Sequence, residues 1–442
     1  MVGILLMKRG LLAFAAVVGS LVLGAAVAGT WLHWYMEQPA FIEEIRSALV
    51  ATSGGEVEFE HFRVRGLNGI EVTGLQVNPR LASGGSMKAA SARVTFSIWA
   101  LATGRVDVNQ VHLRGMEMFL QPSPSGEWPT FFSGVKPVVQ VAGWTLPVTL
   151  NLTQVRLERS RAEIRAAGGE VLALVEDLDA EAGLSLVPGW TDASGWIRAD
   201  RLRFGSGLRL TNVSIPIRLA NRVITMNGVR AFCHGGTAEA SVTGQFNRGV
   251  PGFEIQLALR DVDLTGLLED LGARTGWAQG TLNLDAKAEG TLTQAQLAQG
   301  IGRLSIESAG ITTLDVLGTL GQTLGFSDLR TPRFEKVTGE FKIGDQRITF
   351  YNLEGVSPLI ELSGAGYVDF DGQMDFDMLL GLHPEIGDRM PAHISANFNR
   401  RADQFRLITF KLSGPISNPT SNLPRKLFAG PGDFETALVR VR

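Results

Sequence analysis

The segment that most constrains the fold is SPLIELSGAGYVDFDGQMDFDMLL, residues 357–380, where apolar and polar side chains alternate on both sides of an Asp371-Gly372 pair. Successive side chains of a β-strand point to opposite faces of its sheet, so the segment predicts a half-buried hairpin with one apolar face. Asp-Gly favours a tight turn because both central residues must tolerate positive φ. The pattern recurs from about residue 56 to residue 412, which predicts a mainly β protein with few short helices.

The composition agrees with this prediction and excludes some functions. The net charge of −3 leaves no basic excess, so nucleic acid is not expected as a partner. With 52 glycines and 18 prolines, the chain has enough turn-forming residues to separate many short strands. The lone Cys233 cannot form an internal disulfide, so burial and hydrogen bonding must stabilise the fold.

The amino terminus predicts a membrane anchor. Residues 1–9 end in Lys8-Arg9, and residues 10–35 follow as an apolar transmembrane helix, long enough for a bilayer core of about 30 Å. Basic residues before this helix and acidic residues after it place residues 1–9 in the cytoplasm and the bulk of the chain in the periplasm. A cleaved signal peptide, with Ala26-Val27-Ala28 as its cleavage site, is the alternative and also exports the remainder.

The rest of the chain divides at changes of pattern. Residues 36–120 are expected to hold an amphipathic helix and strands, residues 121–275 a central β-rich groove that starts at the loop QPSPSG, residues 276–424 a carboxyl-terminal region, and residues 425–442 a tail. Residues 264–271 predict a short helical segment. A further helix is predicted near residues 313–324, with a stripe formed by Leu314, Leu317, Leu320 and Leu324.

No constellation of residues predicts catalysis. Cys233 and His234 are adjacent, and neighbours on a strand point to opposite faces, so they make a poor nucleophile–base pair. The six histidines lack metal-ligand spacing, and the aspartates of residues 369–377 do not match an EF-hand loop. We therefore expect a protein that is not an enzyme and has no cofactor and no metal site.

The carboxyl-terminal block, residues 300–424, resembles the AsmA-like carboxyl-terminal region of Gram-negative envelope proteins. The resemblance runs through GIGRLSIESAGI, the leucine-rich TLDVLGTLGQTLGF, the hairpin segment and the closing FKLSGPISNPTSNLPR. The anchor followed by EEIRSALVATSGGEVEFEHFRV also looks like the start of such proteins. The resemblance to the AsmA family, of the AsmA, TamB and YhdP kind, implies an elongated, curled antiparallel sheet, the repeating β-groove. It also implies that the apolar face binds phospholipid acyl chains in lipid transport and outer-membrane biogenesis.

The alternation leads to a similar expectation, because the predicted helices are too few to cover the apolar face. Either the sheet closes on itself as a sandwich or barrel, or it stays open and offers a lipid groove. The candidate acyl-facing residues are Val94, Phe96, Ile98, Leu282, Leu284, Ile360, Leu362, Val368, Phe370, Met374, Phe376 and Met378. Ordinary core packing is the alternative role for them.

Two functions follow as expectations. The first is an inner-membrane-anchored lipid-handling protein of the periplasm, with membrane phospholipids as partners. The second is a non-enzymatic assembly factor that pairs its sheet edge with outer-membrane proteins, so that an outer-membrane or periplasmic protein would be the partner.

Overall fold

The computed structural model describes most of the chain from residue 55 to residue 428. The described ranges are 55–66, 68–79, 85–97, 106–123, 138–141, 144–187, 190–205, 207–245, 252–272, 278–291, 298–311 and 333–428, with the single residues Gln38, Pro39, Glu43, Ala100, Leu317, Gly321, Gln322 and Leu329. Over these residues the protein is mainly β, as predicted. The predicted transmembrane helix lies outside them, and none of the described helices is long and apolar enough to cross a membrane.

The chain forms two compact units, residues 1–196 and residues 197–442. The domain boundaries expected at residues 121, 276 and 425 stay predictions. In the first unit the strands are β1 Gly55–Glu58, β2 His61–Arg65, β3 Gly69–Pro79, β4 Gly85–Phe96, β5 Val106–Leu120, β6 Val138–Val141, β7 Trp144–Arg165 and β8 Val171–Val187, followed by β9 Trp190–Phe204, which crosses into the second unit.

Most strands of the first unit pair as predicted, but one pair does not. β1 and β2 both lie antiparallel to β3, and β3, β4 and β5 form an antiparallel series. β7 is antiparallel to β6 and β8, yet parallel to β5. A parallel pair needs a connection of a dozen residues or more, which residues 121–143 supply. The pairing of the described strands is therefore antiparallel, as expected, with the exception of β5 and β7.

The second unit is an antiparallel series with short helices on its connections. Its strands are β10 Leu208–Ala220, β11 Val223–Cys233, β12 Gly236–Gln245, β13 Gly252–Asp263, β14 Ala278–Thr291, β15 Gln299–Ile311, β16 Arg333–Gly344, β17 Arg347–Val356, β18 Ile360–Asp369, β19 Gln373–Leu382, β20 Asn399–Arg400, β21 Arg406–Pro415 and β22 Thr420–Ser421. The helices are α1 Leu264–Asp270, α2 Pro384–Arg389, α3 Ala392–Ser395 and α4 Leu423–Phe428. Each strand from β10 to β19 pairs with the next, and β21 follows β19.

The hairpin predicted from residues 357–380 is confirmed, with a different turn. β18 and β19 pair antiparallel with Val368 opposite Met374. Only Gly372 has positive φ, at 78°, so the connection is a three-residue turn that ends in a left-handed glycine. Phe370 is consequently a turn residue, and it is 49% exposed.

The strands of the second unit end along two opposite borders of the sheet, and these two borders differ. We call the edge where β13, β15 and β19 end the helical rim, because α1, α2 and α3 follow β13 and β19 there. Leu317 and Leu329, on the connection between β15 and β16, are fully buried in the core at this edge. Leu317 is helical, in agreement with the predicted leucine stripe, whose other members lie outside the described residues. The opposite edge, the hairpin rim, carries the short turns at residues 221–222, 345–346 and 370–372.

Burial on the apolar face falls from the helical rim to the hairpin rim. Along β19, Leu382 and Leu380 are fully buried, and Met378, Phe376 and Met374 are 6–8% exposed. Val368, opposite Met374 on β18, is only partly buried. We call this apolar face the inner face. The helices thus seal one edge of it and leave the other side less covered.

Bulges bend the strands that carry the inner face. Asp261 in β13, Ser308 in β15 and Asn352 in β17 all have positive φ, and the registers of β13 and β17 shift at these points. Such bulges bend a strand and increase its twist. As a result, residues three positions apart, such as Leu259 and Val262, both pack in the core.

Glycines make room for the largest inner-face side chains. A Cβ on Gly302 would lie 2.2 Å from the Phe341 ring, and a Cβ on Gly366 would lie 2.3 Å from the carbonyl oxygen of Asp375 and 2.6 Å from the Phe376 ring. No side chain fits at such distances. Some glycines of the sheet therefore make room for aromatic rings, and others form its turns.

Candidate functional site

The inner face of the second unit contains an apolar cavity of about 240 Å³. It is bounded by α1, by strands β14 to β19 and by β21. Almost all of its lining side chains are apolar, and the polar exceptions are Gln279 and Glu354. The lining is Leu264, Leu268, Ala278, Gln279, Leu304, Ile306, Ala309, Gly310, Val337, Phe350, Leu353, Glu354, Gly355, Leu362, Val368, Met374, Phe376, Met378, Leu412 and Ile416.

The structure brings eight of the twelve predicted residues to this face. Five of them line the cavity, namely Leu362, Val368, Met374, Phe376 and Met378. Three others lie on the same face without reaching the cavity: Ile360 and Leu282 are 2% and 5% exposed and belong to two buried clusters, and Leu284 packs against the cluster of Leu282. These eight residues combine the two roles that the sequence left open, core packing and cavity lining.

The other four predicted residues lie elsewhere. Phe370 lies in the turn and does not line the cavity. Val94 and Phe96 belong to the first unit, where Val94 is partly buried between Ile70 and Val111, and Phe96 is 5% exposed. Ile98 lies outside the described residues.

The inner face also carries an aromatic row in which Phe341 and Phe350, absent from the predicted residues, join Phe376; Phe350 and Phe376 line the cavity and Phe341 does not. The Phe341 and Phe350 ring centroids are 5.7 Å apart, and those of Phe350 and Phe376 are 5.6 Å apart. Alternation around Phe341 in β16 and Phe350 in β17 was a signal that could have found both. Leu353 was harder to find because the bulge at Asn352 interrupts the alternation before it.

Helix α1 closes the cavity on the side of β14. Asp263 caps its first turn by accepting hydrogen bonds from the backbone N–H groups of Thr265 and Gly266. Leu264 and Leu268 project from α1 into the cavity lining. The predicted helical segment at residues 264–271 is therefore confirmed, and it contributes to the site.

Asp270 connects the last turn of α1 to β10 and to the residue that follows β11 through hydrogen bonds. Its carboxylate accepts hydrogen bonds from the Arg209 backbone N–H at 3.0 Å and from Arg209 Nη2 at 2.8 Å, both from β10. His234, which follows β11, places its Nε2 atom 2.7 Å from Asp270 Oδ2. The Asp270 side chain is only 4% exposed. We call this cluster of Arg209, His234 and Asp270 the latch.

The latch lowers the pKa of Asp270. Burial alone would raise this pKa, but the hydrogen bonds from Arg209 and His234 outweigh burial and hold the pKa below its usual value. A carboxyl group whose pKa is lower in the folded state stabilises the fold above its unfolded pKa. That contribution is lost as the pH falls through the folded pKa.

We therefore expect part of the acid sensitivity of the fold to depend on Asp270. Below about pH 4, the ordinary pKa of aspartate, the free energy of unfolding of the native chain should fall more steeply than that of an Asp270→Asn variant. Urea unfolding of both proteins between pH 3 and pH 7 measures the difference. Parallel pH profiles for the two proteins would contradict the assignment.

The arrangement around Cys233 does not suit nucleophilic catalysis. Burial, followed by the charge of Asp270, raises the pKa of the Cys233 thiol, which is 2% exposed. A nucleophilic cysteine needs a lowered pKa and access to substrate. Among the described residues, no group of three or more His, Cys, Asp or Glu residues is arranged to hold a metal ion.

The face opposite the inner face carries charged side chains and is exposed to solvent. Arg260 pairs with Asp285, Arg303 Nε lies 3.5 Å from the same carboxylate, and Lys287 Nζ lies 2.8 Å from Glu254. The second unit therefore has one apolar face and one solvated face, as the alternation predicted.

Comparisons of the chain with models of protein families, with curated proteins and with solved structures found no match.

Proposed function

We propose that this protein is an inner-membrane-anchored lipid-handling protein of the periplasm, whose inner face accommodates phospholipid acyl chains in lipid transport or outer-membrane biogenesis. The observation that carries the proposal is the apolar cavity shared by α1 and seven strands. Ligand sites are typically concave and mostly apolar. This cavity lacks the convergent polar groups that would orient a polar substrate.

The dimensions of the inner face support an acyl chain as the ligand. From Leu362 to Val368 along β18 is six residues, or about 20 Å at about 3.3 Å per residue. Half of a bilayer core of about 30 Å is roughly 15 Å. The inner face is therefore long enough for one acyl chain along the strand direction, with its end at the helical rim and its polar group toward the hairpin rim.

The first test is whether phospholipid accompanies the protein. We expect the full-length chain, purified in mild detergent, to retain phospholipid that mass spectrometry identifies. Protein that is folded and free of lipid after gentle purification from membranes would contradict the proposal.

A substitution at Val368 tests the cavity directly. Val368 lines the cavity but is only partly buried, so Val368→Asp should leave the chain folded. A carboxylate beside an acyl chain should reduce bound phospholipid by about tenfold or more, since about 1.4 kcal/mol corresponds to that factor. Phospholipid per protein, measured by mass spectrometry, gives the result.

The matched control for Val368→Asp is Thr349→Asp. Thr349 pairs with Tyr367, the neighbour of Val368, and therefore lies on the charged face. The Thr349→Asp substitution adds the same charge one strand away, and it should not change the amount of bound phospholipid. Equal lipid content in the two variants would contradict binding in the cavity.

The edge-pairing alternative has less support in the second unit. On its outer side, β21 pairs with β20 at its start and with β22 near its end. Between them, Lys426 Nζ donates to the Thr409 carbonyl at 2.9 Å, and the Lys411 N–H donates to the Asn422 side chain at 2.8 Å. A partner strand would have to displace these contacts, and native proteins cover sheet edges in this way to prevent pairing.

A further inference from the structure

Helix α1 covers apolar side chains that do not line the cavity. Beneath it, Leu264 packs with Cys233, Val262 and Leu282 in one buried cluster, and Leu208 and Leu210 of β10 pack against that cluster. The cluster meets the cavity at Leu264 and Leu268, which also line the cavity. If α1 lifted, the side chains beneath it that the cavity does not reach, such as Val262 and Leu210, would join the cavity lining.

The two ends of α1 are held differently. The first turn is capped within the same segment by Asp263. The last turn is held by the latch, and the residues after it carry little packing, since Leu271 is 54% exposed and Gly272 has a φ of 80°. The Arg209 side chain is 66% exposed, so water can replace its contact with Asp270.

We propose that α1 is a gate, hinged at Asp263 and held shut by the latch, whose opening enlarges the cavity for acyl chains. The inference rests on the proposed function, because an acyl chain is the occupant that requires the space. With α1 in place, the cavity of about 240 Å³ is smaller than the roughly 300–1,000 Å³ of typical ligand sites. When α1 opens, the space beneath it, which is lined by apolar side chains, adds to this volume.

Cys233 is a native reporter for this motion. It is the only cysteine of the chain, it is 2% exposed, and it lies in the cluster beneath α1. A thiol reagent can reach it only when the structure above it opens. The rate at which N-ethylmaleimide labels Cys233 in the full-length chain, in mild detergent, therefore measures how often α1 opens.

Two latch variants should open the gate and have opposite effects on the thiol itself. Asp270→Asn removes a nearby negative charge, which favours the thiolate, whereas Arg209→Gln removes a positive charge, which disfavours it. We expect both variants to label faster, by about ten- to a hundredfold, because hydrogen bonds to a charged group carry about that factor in an equilibrium. Faster labelling in Asp270→Asn alone would reflect thiol chemistry and would overturn the gate.

The control removes a carboxylate that does not touch α1. Asp285→Asn breaks the ion pairs with Arg260 and Arg303 on the charged face and should leave the labelling rate unchanged. Labelling by global unfolding would rise steeply with urea, whereas labelling by local opening would not. An increase in the control, or a steep urea dependence in the latch variants, would overturn the proposal.

A second experiment tests whether opening of α1 controls ligand uptake. Parinaric acid, a fluorescent fatty acid, should enter the Arg209→Gln protein faster than the native protein by a factor similar to that in labelling. Faster labelling with unchanged uptake would overturn the gate and leave the lipid-handling function intact. Failure of every form to take up parinaric acid or to retain phospholipid would overturn both.

Discussion

A Phe376→Asp variant should lose most of the stability of the second unit. Phe376 is 7% exposed and packs against Phe350 in the largest buried cluster of the described residues. Removing a buried phenylalanine costs about 3–5 kcal/mol, and burying an unpaired carboxylate adds to this cost. Because domains are stable by only about 5–15 kcal/mol, the variant should be largely unfolded in chemical denaturation experiments.

The control on the same strand is Gln373→Asp. Gln373 is exposed, three residues from Phe376, and its substitution should leave the denaturation midpoint nearly unchanged. A stable Phe376→Asp protein would show that this part of the inner face is not a packed core. Val368 is only partly buried, so a substitution there can reduce lipid binding while the protein stays folded. A substitution at the buried Phe376 changes both at once.

The second large effect is expected at the carboxyl-terminal helix. Leu423 and Leu427 of α4 are fully buried, and the Asn397 side chain donates to the Leu427 carbonyl at 3.0 Å. Leu427→Asp should destabilise the fold by at least about 3 kcal/mol, because it removes core packing and buries a charge. The loss should appear as a lower denaturation midpoint of the full-length chain.

Displacing α4 should also change how the protein behaves in solution. Lys426 would lose its contact with Thr409, so the outer side of β21 would be uncovered and prone to pairing with other chains. We expect aggregation of Leu427→Asp in size-exclusion chromatography, whereas Arg425→Asp on the exposed side of α4 should remain soluble. A monodisperse, stable Leu427→Asp protein would show that α4 does not protect this edge.

Alternation predicted the local elements of this protein well. It located the hairpin of β18 and β19, and the helical segment predicted at residues 264–271 matches α1 to within one residue. It also grouped Leu362, Val368 and Phe376 on one face, where the structure shows the cavity. These successes share a cause, since strand and helix periods are local properties of the sequence.

Non-local features were not predictable in the same way. The parallel pairing of β5 and β7 joins residues that are far apart in the sequence, and alternation does not report such pairings. Bulges such as the one at Asn352 move the next residue onto the other face, so Leu353 was missed. Phe370 was assigned to the apolar face because a two-residue turn was assumed, and the three-residue turn removes it from that face.

The parallel pair of β5 and β7 has a consequence for how the first unit reaches its native state. Hairpins such as β3–β4 bring together residues that are close in sequence, but Val106 must find Val148 and Leu120 must find Ile164 across more than forty residues. Long-range pairings of this kind slow folding because the chain must close a large loop before any contact forms. After dilution from denaturant, protection of the β5 and β7 amides from hydrogen exchange should therefore arise later than protection of β3 and β4.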